Sequence, residues 1–288
     1  MNNYIVTSTN KWEDLFKLDK SFLNSFIYRG QQNSKWDLKT SLERVKNGQD
    51  TFLKDYTTEE RWMLHEFKRK FHLYSNRQIP DNEKFEWLSI MQHHGAPTRL
   101  LDFTSSIFIA TYFAVIESSM DGSVWAINRY ILRDTLHDEY NLPYEKKQVL
   151  KDEVNLHNTY FANQYIARPF SVEKIPTTVV PLDTKLCTER LARQQGLFLM
   201  PTNSDESFMK NLESAFKRDN SIFRDVPFEK LIELSKTESR ETNIQLIKIN
   251  IPKKTHSEIA KYLKEMNITS EILFPGLDGL AKSLIHTW

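Results

Sequence analysis

Three segments of the chain combine small residues with side chains that can bind anions or take part in catalysis. The first is FIYRGQ, residues 26–31, in which an apolar run typical of a strand precedes Arg29, Gly30 and Gln31. A guanidinium can make two parallel hydrogen bonds to a phosphate or a carboxylate, and a glycine lets a ligand approach the backbone. The segment indicates an anion site at Arg29. An ion pair between Arg29 and a nearby acid would explain the same residues.

The second segment, residues 91–106, contains a turn and then a run of hydroxyl side chains. Its pattern predicts that a helix ends at Gly95 and that a strand ends near Thr104, before another helix begins. Hydroxyls at a strand end and a helix N-terminus can meet an anion or a ribose. The candidate binding residues here are His94, Gly95, Thr98, Arg99, Asp102, Thr104 and Ser105. Helix capping together with an Arg99–Asp102 ion pair is the structural alternative.

The third segment, residues 189–198, brings two guanidiniums and two amides to the start of an apolar strand. Arg190 and Gln194 are the candidate binding residues, and Gln195 is the candidate catalytic residue. A solvated helix end that is closed by Gly196 would account for the same pattern.

The composition narrows the class of protein. The chain has 288 residues, 40% of them hydrophobic, and its net charge is +1, which predicts a folded protein without a strong nucleic-acid footprint. One cysteine, Cys187, fits a reducing compartment, and we expect its thiol to be buried. With no signal peptide or membrane-spanning run in the pattern, we expect a cytoplasmic protein.

Signatures of metal and phosphate-loop chemistry are missing from the sequence. His93 and His94 are adjacent, so on a helix they point about 100° apart, whereas chelating pairs prefer a spacing of four. We expect one of these histidines to be packed and the other to be partly exposed. No glycine-rich phosphate loop occurs, and glycine is scarce, with seven in the chain. We therefore predict no metal site and no firmly assigned cofactor.

The elements that must position these segments are helices and short strands in mixed order. Periodicity predicts strands at 26–29, 36–38, 100–104, 123–127, 177–182, 196–200 and 245–251. It predicts helices at 10–18, 57–74, 105–117, 146–160, 184–193, 208–216 and 255–266, another through Phe85, Leu88 and Met91, and a short one after Gly279. A capping box starts the helix at 57–60, and Ala110 with Ala114 permits close packing. Residues 133–145 are the predicted soft region. The fold class is α+β, with helices around a small central sheet.

Taken together, the three segments resemble the bacterial FRG-domain family. Tyr28-Arg29-Gly30 resembles the family's namesake Phe-Arg-Gly, with Tyr28 in place of the phenylalanine. The run HHGAPTRLLDFTS, residues 93–105, resembles its most specific block, and RQQGLF and FPGLDGL also look like family features. The resemblance covers about residues 20–285, which implies a single FRG domain spanning residues 1–288.

The order of the segments is also similar to the layout of the ADP-ribosyltransferases. That resemblance implies that Arg29 grips the phosphates or ribose of NAD and that Thr104 and Ser105 line the nicotinamide site. Gln195 stands where a catalytic glutamate is expected. Glutamine lacks the negative charge that stabilises a developing cation. Either another acid, Glu189 or Asp102, replaces it, or the pocket binds a nucleotide without turning it over.

Three hypotheses follow for the function. The first is an NAD-consuming transferase or glycohydrolase, acting as a toxin or defence effector, with NAD as substrate and a protein as the target of any transfer. The second is a sensor or adaptor that binds a nucleotide or another anionic small molecule without turnover. The third is an interaction protein in which Arg29, Arg99 and Asp102 pair with one another and leave no pocket.

Overall fold

A mixed, open sheet forms the centre of the protein. The computed structural model describes residues 4–9, 11–18, 20–46, 56–140, 151–167, 175–185, 187–216, 224–236 and 244–285. In these residues the strands are β1 (Tyr4–Ser8), β2 (Phe26–Gln31), β3 (Leu101–Thr104), β4 (Gly122–Asn128), β5 (Val179–Leu182), β6 (Gly196–Pro201), β7 (Arg224–Asp225) and β8 (Leu246–Ile251). Their order is β5-β6-β3-β2-β4-β8-β1-β7. Only the β1 pairings, with β7 and β8, are parallel.

Helices cover both faces of this sheet. The α-helices of the described residues are α1 (Lys20–Asn24), α2 (Ser41–Lys46), α3 (Tyr56–Phe71), α4 (Lys84–His93), α5 (Ile107–Val115), α6 (Arg129–Tyr140), α7 (Lys151–Asn163), α8 (Glu189–Arg193), α9 (Phe208–Ala215), α10 (Phe228–Ser235), α11 (His256–Glu265), α12 (Ser270–Leu273) and α13 (Leu277–Ile285). Short 3-10 helices occur at Trp12–Lys17 and Lys253–Thr255. The α+β class is confirmed. None of the helices within the described ranges is long and apolar enough to cross a membrane.

The alternation of side chains along β4 shows why both faces must be covered. Val124 and Ala126 belong to the apolar cluster that includes α5, whereas Trp125 and Ile127 belong to a second cluster that includes α9. Successive residues of a strand point to opposite faces. A strand whose apolar residues do not alternate with polar ones therefore needs apolar partners on both faces of the sheet. All seven residues of β4 are buried accordingly.

The strand that carries Arg29 continues two residues further than predicted. The prediction ended this strand before Gly30, but β2 runs through Gly30 to Gln31 and pairs with Val124 and Ser123 of β4. Gly30 is needed because a Cβ there would collide with the backbone carbonyl of Ala110 on α5. The predicted close packing at Ala110 and Ala114 is therefore confirmed, and the glycine serves helix-on-sheet contact rather than a chain break.

Several of the predicted helix and strand boundaries were wrong. Residues 36–38 form no strand, and only Glu189–Arg193 of the predicted 184–193 helix is helical among the described residues. Helix α3 begins at Tyr56, so the predicted cap residue Thr57 lies inside it, and the Thr57 hydroxyl pairs with that of Ser204. Residues 133–140 of the predicted soft region belong to α6. The rest of that region, 141–145, lies outside the described residues, and so does the first part, 146–150, of the next predicted helix.

Strand pairing brings the first two candidate segments together. Tyr28 of β2 lies opposite Thr104 of β3, and Thr104 lies opposite Gly196 of β6. The strand carrying Arg29, the strand carrying Asp102 and the strand that follows the third segment are therefore neighbours in the sheet. No sequence pattern indicated this order, because each pairing joins residues that are far apart in the chain.

Candidate functional site

A cavity of about 340 Å³ opens beside β2 and β3. Seven of the predicted site residues line it: Arg29, Gly30, Gln31, Asp102, Thr104, Arg190 and Gln194. The other lining residues include two further polar groups, Arg44 and Gln92, and the aromatic side chains of Trp36 and Phe113. We call this cavity the arginine cleft, because three guanidiniums lie in its wall. The third hypothesis, which left no pocket, is contradicted by it.

Arg29 is held in the cleft wall by one main-chain contact. Its Nη1 donates to the carbonyl oxygen of Asp102 at 2.7 Å, and its side chain is 18% exposed. Its Nε is buried and has no hydrogen-bond partner among the described residues. Burial lowers the pKa of Arg29 and the positive charge of Arg44 lowers it further, while the Asp102 carboxylate opposes both. A guanidinium nevertheless stays protonated at neutral pH.

Asp102 carries the negative charge nearest to Arg29. Its Oδ2 lies 3.8 Å from Arg29 Nη1, and its Oδ1 accepts a hydrogen bond of 2.8 Å from Gln92 Nε2. The Asp102 side chain is 59% exposed, so the ion pair is open to solvent. Such pairs contribute little to stability. The carboxylate is therefore available to a ligand.

Arg99 does not pair with Asp102, and that prediction was wrong. Arg99 is buried, and its Nε donates to Glu60 Oε1 at 2.6 Å while its Nη1 donates to the Thr202 carbonyl at 3.1 Å. Arg99 lies before β3 and its guanidinium is held by Glu60 and Thr202, whereas Asp102 lies within the strand and lines the cleft. Thr98 is also buried, and its main-chain N–H donates to Ser41 Oγ. Neither Arg99 nor Thr98 lines the arginine cleft.

Thr104 and Ser105 face different cavities. Thr104 lines the arginine cleft, where its hydroxyl accepts the N–H of Ser106, whereas Ser105 lines a second cavity beside Arg129 and Tyr130. The two positions are consecutive, but β3 ends at Thr104 and Ser105 lies in the bend that follows it. The predicted joint role of Thr104 and Ser105 in one pocket therefore does not match their placement.

Gln195 does not line the arginine cleft. It is exposed with φ of +47°, and its carbonyl accepts the N–H of Ser105 at 3.0 Å. The left-handed turn at the end of α8 leaves the preceding residue, Gln194, in the cleft wall. The site predicted from Arg29, Thr104 and Gln195 is thus formed by the first two residues and Gln194.

Leu273 and Phe274, at the end of α12, position the cleft side chains of Arg190 and Gln194. The Arg190 guanidinium lies 4.8 Å from the centroid of the Phe274 ring, and Gln194 Nε2 donates to the Leu273 carbonyl at 3.0 Å. Phe113 meets the same Phe274 ring edge-on, with centroids 6.0 Å apart. Three cleft residues are therefore fixed by Leu273 and Phe274, which are not themselves in the wall.

The histidine pair and the cysteine are placed differently from the predictions. His93 and His94 are both exposed, whereas we expected one of them to be packed. His93 lines the arginine cleft, and burial together with the charges of His94 and Arg190 lowers its pKa. His94 lines a separate apolar cavity, and Gly95 lines none of the cavities described here. Cys187 is exposed rather than buried.

Gln31 mainly supports the sheet. Its Oε1 accepts the indole N–H of Trp125 at 2.8 Å, and its Nε2 donates to the Asp37 carbonyl at 3.1 Å. Since both ends of this buried amide are occupied, Gln31 shapes the cleft and fixes the loop that follows β2.

Several polar or aromatic cleft residues were missed by the sequence reasoning, among them Trp36, Arg44, Gln92 and His93. Arg44 lies in the short helix α2, which no periodic pattern in the sequence predicted. Its Nη1 donates to the Lys39 carbonyl at 2.9 Å. The one sequence signal that could have indicated a missed cleft residue was Trp36, because this tryptophan lies in a polar stretch where burial is not expected.

The sheet and the cleft define an α+β domain with an arginine-rich site at the junction of β2 and β3. Residues 24–122 match the family model described as FRG domain, the family that the sequence analysis predicted. The match includes β2, β3 and the residues between them, but not Arg190 or Gln194. The wider extent of 20–285 stays a prediction. No curated protein and no solved structure gave a significant match.

Proposed function

We propose that the arginine cleft of this FRG-domain protein binds a phosphate-bearing small molecule of the nucleotide class, with NAD as the first candidate. Arg29 carries this proposal, because it is a largely buried guanidinium whose Nε has no partner among the described residues. A phosphate in the cleft would accept from the exposed part of this guanidinium, and a planar guanidinium suits the geometry of phosphate.

The charges around Arg29 favour the same class of ligand. Arg44 and Arg190 also line the cleft, and Asp102 has the one carboxylate among the described lining residues. Burial lowers the pKa of Arg29, the Asp102 carboxylate partly opposes this, and the positive charge of Arg44 lowers the pKa further. An anion in the cleft would stabilise that charge, since opposite charges attract strongly where water is partly excluded.

Asp102 supports a second candidate function, the consumption of NAD. An acid is required to stabilise the cation that develops when the glycosidic bond to nicotinamide breaks. Gln195 does not line the cleft and Glu189 is paired with Arg193, whereas Asp102 lies in the wall with an exposed carboxylate. Asp102 would then serve in place of the expected glutamate. Such an activity would suit a toxin or a defence effector, since every cell depends on NAD.

Thermal unfolding with and without ligand tests the binding proposal. A ligand that binds the folded state raises the Tm by mass action, so millimolar NAD or ADP-ribose should stabilise the wild-type protein. The Arg29→Gln variant should lose most of this stabilisation. Arg69→Gln is the matched control, because Arg69 is an exposed arginine of α3 that pairs with Glu66 outside the cleft. Equal stabilisation of all three proteins would reject the proposal.

Nicotinamide release separates the two candidate functions. If the protein consumes NAD, wild type should release nicotinamide and Asp102→Asn should not, although Asn keeps an oxygen that can accept from Gln92. If wild type is stabilised by NAD without releasing nicotinamide, the binding function stands and the enzymatic one fails.

A further inference from the structure

Trp36 is an exposed tryptophan in the wall of the arginine cleft. Its side chain is 53% exposed, whereas Trp12, Trp87 and Trp125 are each at most 6% exposed. No ring contact or hydrogen bond engages the Trp36 indole within the described part of the chain. An exposed indole in a cleft wall offers a flat apolar face that a ligand can cover.

The backbone that carries Trp36 is fixed at several points. The main-chain N–H of Trp36 donates to the Asn33 carbonyl at 3.1 Å, and that of Ser34 donates to the Asp121 carbonyl at 2.7 Å. Lys248 Nζ reaches the Trp36 carbonyl at 3.4 Å, and Gln31 Nε2 holds the Asp37 carbonyl. A ligand that meets this indole would therefore have to order little more than the ring itself, which lowers the entropic cost of binding.

We propose that the Trp36 indole is the platform on which a planar heteroaromatic base of the ligand stacks. This inference rests on the proposed function, in which Arg29, Arg44 and Arg190 bind the phosphates. An exposed ring of fixed backbone position in the same wall as the guanidiniums matches a molecule with a flat apolar end and an anionic end. A sugar phosphate or a carboxylate metabolite lacks the flat end and leaves the indole uncovered. The ligand class is accordingly a nucleotide that carries its base.

Base stacking on an aromatic side chain contributes a factor of about 5 to 150 in affinity. The inference therefore predicts that ADP-ribose binds the wild-type protein more tightly than ribose 5-phosphate does, by at least a factor of this size, because ADP-ribose also carries a second phosphate. It also predicts that this preference depends on the ring at position 36. Binding of ribose 5-phosphate should not depend on that ring, because the molecule has no base.

The experiment measures the Kd of ADP-ribose and of ribose 5-phosphate by calorimetry for four full-length proteins. Trp36→Leu should weaken ADP-ribose binding about 5- to 150-fold and leave ribose 5-phosphate binding within about twofold, the additivity expected of independent sites. Trp36→Phe, which retains an aromatic face, should keep most of the affinity. Trp62→Leu is the control, since Trp62 is 60% exposed and lies outside the cleft.

The outcomes distinguish failure of base stacking on Trp36 from failure of phosphate binding in the arginine cleft. If ribose 5-phosphate binds wild type as tightly as ADP-ribose, or if Trp36→Leu weakens both ligands equally, the stacking role is wrong while the phosphate site stands. If neither ligand binds wild type, the proposed function fails and the stacking role with it. The wild-type comparison needs no variant, so a folding defect in Trp36→Leu would not rescue the inference.

Discussion

The Arg99 guanidinium and the Glu60 carboxylate form a two-bond ion pair that is almost completely buried, with Nε and Oε1 2.6 Å apart. Arg99 lies just before β3, Glu60 lies on α3, and a third donor of Arg99 reaches the Thr202 carbonyl after β6. The pair thereby fixes the entry of the strand that carries Asp102 and Thr104.

Removing one partner of this pair should destabilise the protein strongly. Arg99→Met leaves the Glu60 carboxylate buried without its cation, and a loss of about 3–5 kcal/mol in the free energy of unfolding is expected. Urea unfolding measures it. The control is Arg69→Met, which breaks an exposed pair with Glu66 and should cost about 1 kcal/mol or less. Similar losses in the two variants would show that the buried pair has no special weight.

Gly30 should tolerate no side chain. Gly30→Ala places a Cβ against the Ala110 carbonyl, and because both groups belong to the backbone, β2 and α5 must separate. The expected loss is about 1–3 kcal/mol in the free energy of unfolding. Gly95→Asn is the matched control, because Gly95 has φ of +85° with open space around it, a conformation that asparagine adopts. If Gly30→Ala proves as stable as wild type, the close contact is not as described.

Phe274 should affect ligand affinity although it does not line the cleft. It positions Arg190 through a cation–π contact that is worth about 0.5–1 kcal/mol, or roughly a two- to fivefold change in affinity. Phe274→Leu, which keeps apolar bulk, should weaken NAD binding by that factor, and Phe274→Tyr should not. In the Arg190→Ala background, Phe274→Leu should have no further effect. Additive losses in this double-mutant cycle would contradict the positioning role.

Glu43 should make the protein less stable at neutral pH than its glutamine variant. Burial raises the pKa of Glu43 above its ordinary value of 4.5, although its Oε1 accepts the N–H of Phe208. Because the folded protein holds this proton more tightly, its contribution is fully present below pH 4.5 and is lost as pH rises through the raised pKa. Wild type and Glu43→Gln should therefore unfold alike near pH 4, and the variant should be the more stable at pH 7.

Glu66 provides a control of opposite sign for this pH dependence. Hydrogen bonds from Arg69 and then Lys70 lower the pKa of Glu66 to about 2. Its contribution is present above the ordinary value of 4.5 and is lost as pH falls toward about 2. Glu66→Gln should thus be slightly less stable than wild type at pH 7, with a small difference because the pair is exposed. Chemical unfolding at pH 4 and pH 7 compares both variants, and a stability difference of the same sign for the two would contradict the assignment.

Helix α6 (Arg129–Tyr140) was not predicted, because residues 133–145 were expected to be a soft region, but most other strands and longer helices followed from local patterns in the sequence. The apolar run at 123–127 and the turn at Gly95 are examples, because period and turn chemistry are written in adjacent residues. The short elements did not follow. β1 (Tyr4–Ser8), α2 (Ser41–Lys46) and α10 (Phe228–Ser235) went unpredicted, and a segment of five to eight residues shows too little of its period to be recognised.

The site could be predicted only in part, because contacts between distant segments decide it. The motif residues Arg29, Asp102 and Thr104 were found, since a strand end with arginine, carboxylate and hydroxyl side chains stands out. The partner of Arg99 could not be found, because Glu60 lies 39 residues away on a helix whose tertiary position no local pattern encodes. Of the two predicted glutamines, Gln194 lines the cleft and Gln195 does not, because the left-handed turn at Gln195 is visible only in the backbone.

The affinity of the Arg29→Lys variant for NAD is the most direct test of the proposed function. Lysine keeps the positive charge but loses the planar donors that can contact two phosphate oxygens at once, a difference of about 1.5–3 kcal/mol for a charge-assisted bond. Calorimetry should show NAD binding to wild type and a Kd about 10- to 100-fold higher for the folded Arg29→Lys protein. An unchanged Kd, or no binding of NAD to wild type, would contradict the assignment of the arginine cleft as a nucleotide site.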